Sequence, residues 1–456
     1  MTSPRYLIIA ALLLSGGAAR AQSSPELRQI LDRLQKLEDA NRELVQEVRG
    51  LRQELASARE ASPAPPAAQE TGEQMAVEKA RVGELAQSKV ESSQKMPLRI
   101  TGMALFNAYV NGRYNSGTEN TTIASFTQGD ASGGGTFRQT TFGLQYDGPQ
   151  ALFGAKVSGA LDLDLFGGSA NSLNHLMRLR TAAISLDWDN TSLLFGQDKP
   201  IISPRDPTSL AQVGVSPLTG AGNLWLWQPQ VRVEQRFRIG DNAGIRAQAG
   251  VVQTRELGSE SVGYPSYVPA PPAGLPSERA EPGVETRVEL WRRWGETRRV
   301  EIATGFHDNP SSVGGRDVTS RVYSIDWLLR PLDHLELSGF FYNGQNVADL
   351  GALPQGFNVY EYRGARPVHS TGGWAQLRIP VTDRLAFDFY GGRQDDRNSD
   401  LQAGYIGLNA AYFANAIYRI APNVFVSLEA GQVRTTYLGT GNRLNNHYDL
   451  GVAYAF

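Results

Sequence analysis

The sequence has no cysteine, and lysine is almost absent after residue 96. Without cysteine there is no disulfide framework, so stability must come from burial or from a closed hydrogen-bond ladder. Only Lys156 and Lys199 follow residue 96, whereas arginine remains frequent there. Arginine is a rigid, permanently charged donor that suits carboxylate and phosphate binding, although a GC-rich genome would produce the same preference. The composition therefore admits an anion-binding role without requiring one.

Long hydrophobic runs and a charge surplus are also missing. No stretch approaches ~18 unbroken apolar residues, so we expect no transmembrane helix in the mature chain. A formal net charge of −2 leaves no basic surplus for a nucleic-acid partner. Residues 1–21 predict an export signal, because Arg5 precedes the apolar run 6–14 and small residues mark a cleavage site after Ala21. An exported chain without a helical anchor belongs in the periplasm, the medium or the outer membrane.

Residues 22–60 predict a coiled coil in the periplasm. Apolar residues recur at steps of three and four, and charged residues fill the positions between them. The inward positions, which we predict to mediate oligomerisation, are Leu27, Ile30, Leu34, Leu37, Asn41, Leu44, Val48, Leu51 and Leu55. An inward asparagine such as Asn41 costs stability, sets the register and commonly favours a dimer. Residues 61–96 follow as a proline-rich linker and a short helix-permissive stretch.

From residue 97 to residue 456 the apolar pattern changes to period two, which predicts an all-β domain. We read sixteen strands, at 97–112, 136–147, 150–165, 176–188, 191–199, 223–238, 243–255, 283–294, 297–307, 320–331, 333–344, 370–381, 383–395, 408–420, 422–436 and 445–456. Short turns such as 189–190 alternate strictly with long loops such as 256–282. An even-stranded transmembrane barrel requires this alternation of tight periplasmic turns and longer outer loops. The predicted fold class is therefore an antiparallel 16-stranded transmembrane β-barrel preceded by a periplasmic α-helical coiled coil.

Side chains alternate between apolar and polar along several predicted strands. In the sixth strand Trp225, Trp227 and Val231 fall on one face, while Gln230 and Arg232 fall on the other. Apolar residues toward lipid and polar residues toward the interior describe a water-filled lumen rather than a packed core.

Two arginines break this alternation. Arg178 and Arg180 share a face with the apolar Ile184 and Leu186 in the fourth predicted strand. Their position implies a bulge, a place above the lipid, or a subunit interface.

The last predicted strand is the most apolar one. Tyr448, Leu450, Val452, Tyr454 and Phe456 alternate with polar or small residues. A strand that closes a barrel in lipid needs an outward apolar row that ends in an aromatic residue at the membrane interface. We therefore predict that Tyr454 and Phe456 form an assembly signal for the barrel assembly machinery.

Sixteen strands enclose a lumen too wide for side chains to fill, so water and small solutes can pass. Selectivity then depends on the residues that narrow the pore. The third outer loop, at 201–222, follows the fifth strand and is the segment that general porins fold into the barrel. Our candidates for a constriction or solute-binding site are Lys199, Arg205, Asp206, Arg232, Arg236, Arg246 and Arg287. Alternatively, each arginine is balanced by a lumen carboxylate such as Glu234, Glu285 or Glu289.

Three segments resemble a known family. They are WLWQPQVR at 225–232, GFFYNGQNVA at 339–348, and GGWAQL at 372–377 running on to DRL at 383–385. Over most of 97–456 the chain resembles the DcaP-like and related phosphate-selective-type porins of Gram-negative outer membranes. The resemblance implies a homotrimer whose constriction arginines favour small anions such as dicarboxylates or phosphate. Thr141 and Thr181 depart from the family pattern, in which related chains often carry basic residues.

The sequence predicts a porin and no enzyme. The five histidines are scattered without a G-x-S-x-G motif, and no spacing indicates a metal or a cofactor. We expect passive diffusion of small hydrophilic solutes across a Gram-negative outer membrane. The expected partners are membrane lipid and lipopolysaccharide, further copies of the chain, the barrel assembly machinery and peptidoglycan. The alternative is a non-conducting structural or adhesive barrel that binds a partner through outer loops such as 256–282.

Overall fold

The computed structural model describes residues 97–168, 175–253, 281–313, 316–360 and 364–456. The predicted export signal at 1–21, the coiled coil at 22–60 and the linker at 61–96 lie outside the described residues, and so does most of the loop 256–282. Each of these segments remains a prediction from sequence.

Twenty-one strands make up the described structure. In chain order they are β1 Leu98–Asn111, β2 Ser132–Thr136, β3 Thr141–Ala151, β4 Ala155–Gly167, β5 Leu176–Asp187, β6 Thr191–Asp198, β7 Gln228–Ile239, β8 Ala243–Val252, β9 Gly283–Trp294, β10 Arg298–Asn309, β11 Ser312–Val313, β12 Arg316–Asp317, β13 Ser320–Leu332, β14 Leu335–Gln345, β15 Phe357–Tyr360, β16 Gly364–Pro367, β17 His369–Pro380, β18 Leu385–Asp396, β19 Ile406–Ala421, β20 Val424–Tyr437 and β21 Gly441–Ala455. Helical conformation in these residues is confined to three 3-10 segments, at Leu152–Gly154, Ala348–Leu350 and Asn398–Asp400. None of them has the length and apolar character that a membrane-crossing helix requires.

Seventeen of these strands form one closed antiparallel sheet. β1 pairs with β21 on one edge, where Met103 lies opposite Ala455, and with β2 and β3 on the other. Because β2 and β3 both lie against β1, they form one barrel strand that is interrupted at 137–140. The pairs β11–β12 and β15–β16 are small hairpins in loops. The barrel therefore has sixteen strands, as predicted.

Two predicted strands begin five residues too early. β7 begins at Gln228 rather than at residue 223, so Trp225 and Trp227 belong to the preceding loop, and Trp225 is buried instead of facing outward. β4 begins at Ala155 rather than at residue 150, and Phe153 lies in a turn with φ 55°. In both places an apolar run continues into a loop, and alternation alone does not show where the hydrogen-bond ladder stops.

Exposure alternates along the barrel strands as the sequence predicts. On β21, Tyr448 and Leu450 are exposed, while His447 and Asp449 are buried. Asp449 accepts a hydrogen bond from Asn107, whose amide also donates to the loop 199–227. The buried row therefore faces the interior and the exposed row faces outward.

Arg178 and Arg180 both face the interior because β5 contains a bulge. The pairing of β4 with β5 shifts between Asp162 and Leu163, and Arg180 has no partner opposite it. An extra residue of this kind resets the alternation of a strand. Of the three explanations offered for these arginines, the bulge is confirmed.

Part of the interior is a packed apolar core. Inward side chains of β14, β17 and β19, among them Phe340, Trp374 and Phe413, pack in one cluster with Leu224 and Leu350 from two loops. Burying a large apolar side chain stabilises by roughly 1.5–3 kcal/mol, so this cluster holds the loops inside the barrel. The expectation of a lumen without any packed core is therefore wrong on this side.

Candidate functional site inside the barrel

Residues 199–227, which join β6 to β7, fold into the barrel, and we refer to them as the inner loop. Its first half follows the inner wall from strand to strand. Among the wall side chains that hydrogen-bond its backbone are Glu285 to Ile201 N (2.5 Å), Gln376 to Thr208 N (2.5 Å), Asn415 to the Thr208 carbonyl (2.9 Å), Asn107 to the Leu210 carbonyl (2.9 Å) and Gln139 to the Ala211 carbonyl (2.5 Å). These residues lie on β9, β17, β19, β1 and the break between β2 and β3, so the loop passes around the interior.

Carboxamide side chains at inward positions make this path possible. Every backbone N–H and C=O of a buried loop needs a partner, and Gln and Asn carry donors and acceptors in one group. Gln139 donates to the Ala211 carbonyl and accepts from the N–H groups of Val213 and Gly214. The inner loop is therefore held along its length by the wall.

The second half of the inner loop touches the wall where glycines let two backbones meet. Gly222 has φ +102°, and a Cβ there would overlap the carbonyl oxygen of Gly373 on β17. A Cβ at Gly392 of β18 would overlap the carbonyl oxygen of Ala221. Glycine tolerates both the positive φ and the close approach. The glycine at 392 is thus explained by the loop that lies on it, and the glycine at 222 by the backbone of β17.

An ion-pair network joins the inner loop to three neighbouring strands. Arg205 pairs with Glu301 of β10 and Asp326 of β13. Arg287 of β9 pairs with Glu289 at 2.6 Å and with Asp326 at 2.8 Å, and it is buried. The structure places these two arginines in a network with carboxylates, which is the alternative stated for them. Removing one partner from such a network would leave a charge without its counter-ion.

The four remaining predicted cations reach solvent in the interior. Their ion pairs are Lys199 with Asp206, Arg232 with Asp198 at 3.3 Å, Arg236 with Glu234 at 2.9 Å, and Arg246 with Glu289. Asp206 also accepts a hydrogen bond from Asn223 at 3.0 Å, which links the two halves of the inner loop. The structure thus pairs Lys199 with Asp206, and it joins Arg246 to Arg287 through their shared partner Glu289.

Arg178 and Arg180 are interior cations that the sequence reasoning did not include. Both pair with Asp164, at 2.6 and 3.2 Å. Their guanidinium carbons lie 5.2 and 4.9 Å from the ring centre of Trp227, within cation–π range. In the sequence, these two arginines stood out because they share a face with apolar residues. Without the strand pairing, the sequence did not show whether their side chains face the interior or the outside.

His307 and Glu285 form a buried pair at the beginning of the inner loop. Nδ1 of His307 lies 2.8 Å from Glu285, which also accepts from the Ile201 N–H. The pair is closed off from solvent, so its role is to hold the loop. In the part of the chain that the structure describes, no group of three or more His, Asp or Glu side chains could hold a metal ion.

A closed antiparallel barrel of sixteen strands, with a loop folded inside and charged side chains around it, has the architecture of the porin class of outer-membrane channels. The outer membrane channel DcaP of Acinetobacter baumannii superposes on the chain with a TM-score of 0.63 at 15% identity, covering 79% of this chain and 97% of that one. OmpF of Salmonella typhi, in complex with daunomycin, gives a TM-score of 0.50 at 10% identity, with coverage of 79% and 97%. No family model and no curated protein matches the chain. The expected resemblance to DcaP is confirmed for the fold, which is what identities this low establish.

Proposed function

We propose that the protein is an outer-membrane porin for passive diffusion of small hydrophilic solutes, with a preference for small anions such as dicarboxylates or phosphate. The supporting observation is the unequal exposure of the two members of interior ion pairs. The Arg178 side chain is 30% exposed and its partner Asp164 0%, while Arg246 is 33% exposed and its partner Glu289 1%. A solute in the interior therefore meets guanidinium groups in front of their counter-ions.

In two further ion pairs the basic side chain is again more exposed than its acidic partner. Arg236 is more exposed than Glu234 (35% against 16%), and Lys199 is more exposed than Asp206 (32% against 21%). Arg232 is the exception, at 19% against 28% for its partner. Because a guanidinium carries five N–H donors, an arginine in a single ion pair keeps donors for a passing carboxylate. Charges that line a narrow passage set its ion preference.

Thr181 weighs against this preference, since related chains often carry a basic residue there. Arg180 is the residue just before Thr181, and the bulge turns it into the interior beside Trp227. The chain therefore has a cation close to the position where the family pattern expects one. This local shift supports the anion preference in spite of the departure.

The test is planar-bilayer recording of the purified full-length protein in a salt gradient. We expect stepwise conductance and a reversal potential biased toward anions. Changing Arg178→Gln together with Arg180→Gln should move the reversal potential toward cations. The matched control is Arg292→Gln with Arg298→Gln, two exposed arginines on the outward row of β9 and β10. A wild-type reversal potential without a bias toward anions contradicts the anion preference, and a potential that does not move in the interior variant shows that Arg178 and Arg180 do not set it.

The second candidate function is a non-conducting structural or adhesive barrel. The packed cluster of loop and wall residues around Phe340 and Leu224 favours it, because such a cluster narrows the interior. The loop 256–282, which would carry adhesion, lies largely outside the described residues. A barrel that inserts into bilayers and stays silent would support this candidate and exclude the porin.

The proposal includes the placement of the chain. The short turns and residue 97 face the periplasm, the coiled coil at 22–60 lies there near peptidoglycan, and lipid with lipopolysaccharide surrounds the barrel. Self-association into a trimer follows from the family resemblance, whereas Asn41 in the coiled coil suits a dimer. Deleting 25–68 should weaken detergent-stable oligomers or periplasmic cross-linking, and no change in either would remove this role for the coiled coil.

A further inference from the structure

A groove of about 540 Å³ lies on the outer surface of the barrel, on five adjacent strands from β18 through β21 to β1. Strand pairing sets the outward side chains in rows across these strands. One row is Phe389, Ala414, Ala430, Tyr448 and Val110. The next row toward the short turns is Phe387, Ala416, Leu428, Leu450 and Ala108. Alanines on the central strands, between larger side chains on either side, form the groove.

The apolar surface ends one row nearer the long loops. That row contains Tyr412, Gln432 and Asn446 on three adjacent strands. The hydroxyl of Tyr412 donates to Gln432, and Gln432 Nε2 donates to Asn446 Oδ1 at 2.9 Å. A band of linked polar side chains directly above an apolar groove is what an outward surface needs where acyl chains give way to headgroups.

Two arginines lie in the row above this polar band. Arg393 and Arg434 flank Ala410, which is opposite both of them in the strand pairing. Both arginines are exposed on the outward face, and Arg393 pairs with Asp395 at 2.5 Å. Arg434 has no ion pair with any residue of the described ranges. Backbones two strands apart are separated by roughly 10 Å, so a multi-oxygen anion fits between the two guanidinium groups above the small side chain of Ala410.

We propose that this surface binds a phosphate-bearing glycolipid of the outer leaflet, lipopolysaccharide. Its phosphate lies between Arg393 and Arg434, and one acyl chain lies in the groove at Ala414 and Ala430. The proposal rests on the proposed outer-membrane placement and not on conduction.

The headgroup contact carries the selectivity of this site. Acyl chains already surround the barrel, so the groove fixes where one chain lies beneath the headgroup, while the headgroup contact distinguishes this lipid from others. A basic side chain near a membrane surface attracts an anionic lipid headgroup, and two of them act on one headgroup here. The phosphate supplies the counter-ion that Arg434 lacks among the described residues.

The experiment measures lipopolysaccharide bound to the full-length protein in mild detergent, using native mass spectrometry. The first variant is Arg393→Gln with Arg434→Gln, and the control is Arg292→Gln with Arg298→Gln, which removes two outward arginines at the short-turn end. We expect the first variant to bind lipopolysaccharide roughly tenfold more weakly and the control to bind like wild type. Dephosphorylated lipopolysaccharide should bind wild type as weakly as it binds the first variant. Equal binding of phosphorylated lipopolysaccharide by wild type and the first variant overturns the proposal.

A second variant tests the groove without touching the arginines. Ala414→Leu with Ala430→Leu fills the space for an acyl chain, so we expect bound lipopolysaccharide to decrease while heat-modifiable gel mobility confirms a folded barrel. A change of oligomeric state with unchanged lipopolysaccharide binding would show that a second copy of the chain occupies the groove, which also overturns the proposal. Conductance measurements distinguish the lipopolysaccharide site from the proposed porin function. A wild-type barrel that does not conduct contradicts the porin function, but its binding of lipopolysaccharide can still be measured.

Discussion

Asn107 joins the first and last strands of the barrel to the inner loop. Its Nδ2 donates to the carboxylate of Asp449 on β21 at 2.9 Å and to the carbonyl of Leu210 at 2.9 Å. β1 and β21 are the strands at which the sheet closes, so one buried amide links the closure of the barrel to the inner loop.

Replacing this amide should destabilise the barrel. In Asn107→Ala the buried Asp449 carboxylate and the Leu210 carbonyl lose a donor, and we expect a loss of about 1–3 kcal/mol. The measurement is the urea concentration or temperature at which the compact gel form disappears. Asn343→Ala is the control, since Asn343 donates to Thr371 on the exposed outer face. Equal losses of stability in the two variants would show that the hydrogen bonds to Asp449 and Leu210 contribute no more to stability than an exposed hydrogen bond does.

Gln139 should control how firmly the inner loop is held. Gln139→Leu removes one donor and one acceptor that serve Ala211, Val213 and Gly214. We expect single-channel traces with more frequent fluctuations and a larger mean conductance, because the loop leaves the wall near these residues. Gln235→Leu, on the outer row of β7, should leave the traces unchanged. Quiet traces at wild-type conductance in Gln139→Leu would mean that other contacts suffice to hold the loop.

Arg205 should act on both stability and ion preference. In Arg205→Gln, Glu301 and Asp326 lose a counter-ion near the passage. We expect a reversal potential shifted toward cations and a loss of about 1.5–3 kcal/mol in stability. Arg321→Gln removes an exposed outward arginine that pairs with Asp308, and it serves as the control. An unshifted potential in Arg205→Gln would show that these carboxylates do not reach the ion path.

Gly392 should be intolerant of a side chain. Gly392→Ala places a methyl group against the carbonyl of Ala221, so the inner loop must move away from β18. Overpacking of this kind costs about 1–3 kcal/mol, and we expect an altered single-channel conductance as well as a lower unfolding midpoint. Gly159→Ala is the matched control, because the nearest atom to its Cβ would be 3.6 Å away. Wild-type conductance and stability in Gly392→Ala would refute the close contact.

Strand number, strand order and the outward faces followed from local patterns. In a barrel whose strands pair with their sequence neighbours, the short–long alternation of connections already contains the topology. The alternation of Tyr448 and Leu450 with His447 and Asp449 predicted their outward and inward faces, and exposure agrees. Errors occurred where an apolar run left the sheet, as at Trp225 and Phe153, because hydrophobicity is shared by strands and buried loops.

The candidate site was predicted less completely than the fold. The sequence placed Arg205 and Asp206 on a loop that folds inward, with Lys199 just before it, and the structure has that loop inside the barrel. The sequence did not distinguish Arg287, which is buried among carboxylates, from Arg246, which remains partly exposed. The two arginines belong to neighbouring strands with the same local pattern, and only their surroundings differ.

By itself, the sequence determined a closed antiparallel barrel with one apolar face outward, because a period of two residues records the face on which each side chain lies. Only the tertiary structure decided which cations reach the open interior and how the inner loop passes around it. Those features depend on contacts between distant parts of the chain, such as Thr208 with Gln376 and Asn107 with Leu210. A local pattern carries no information about what another segment places against it.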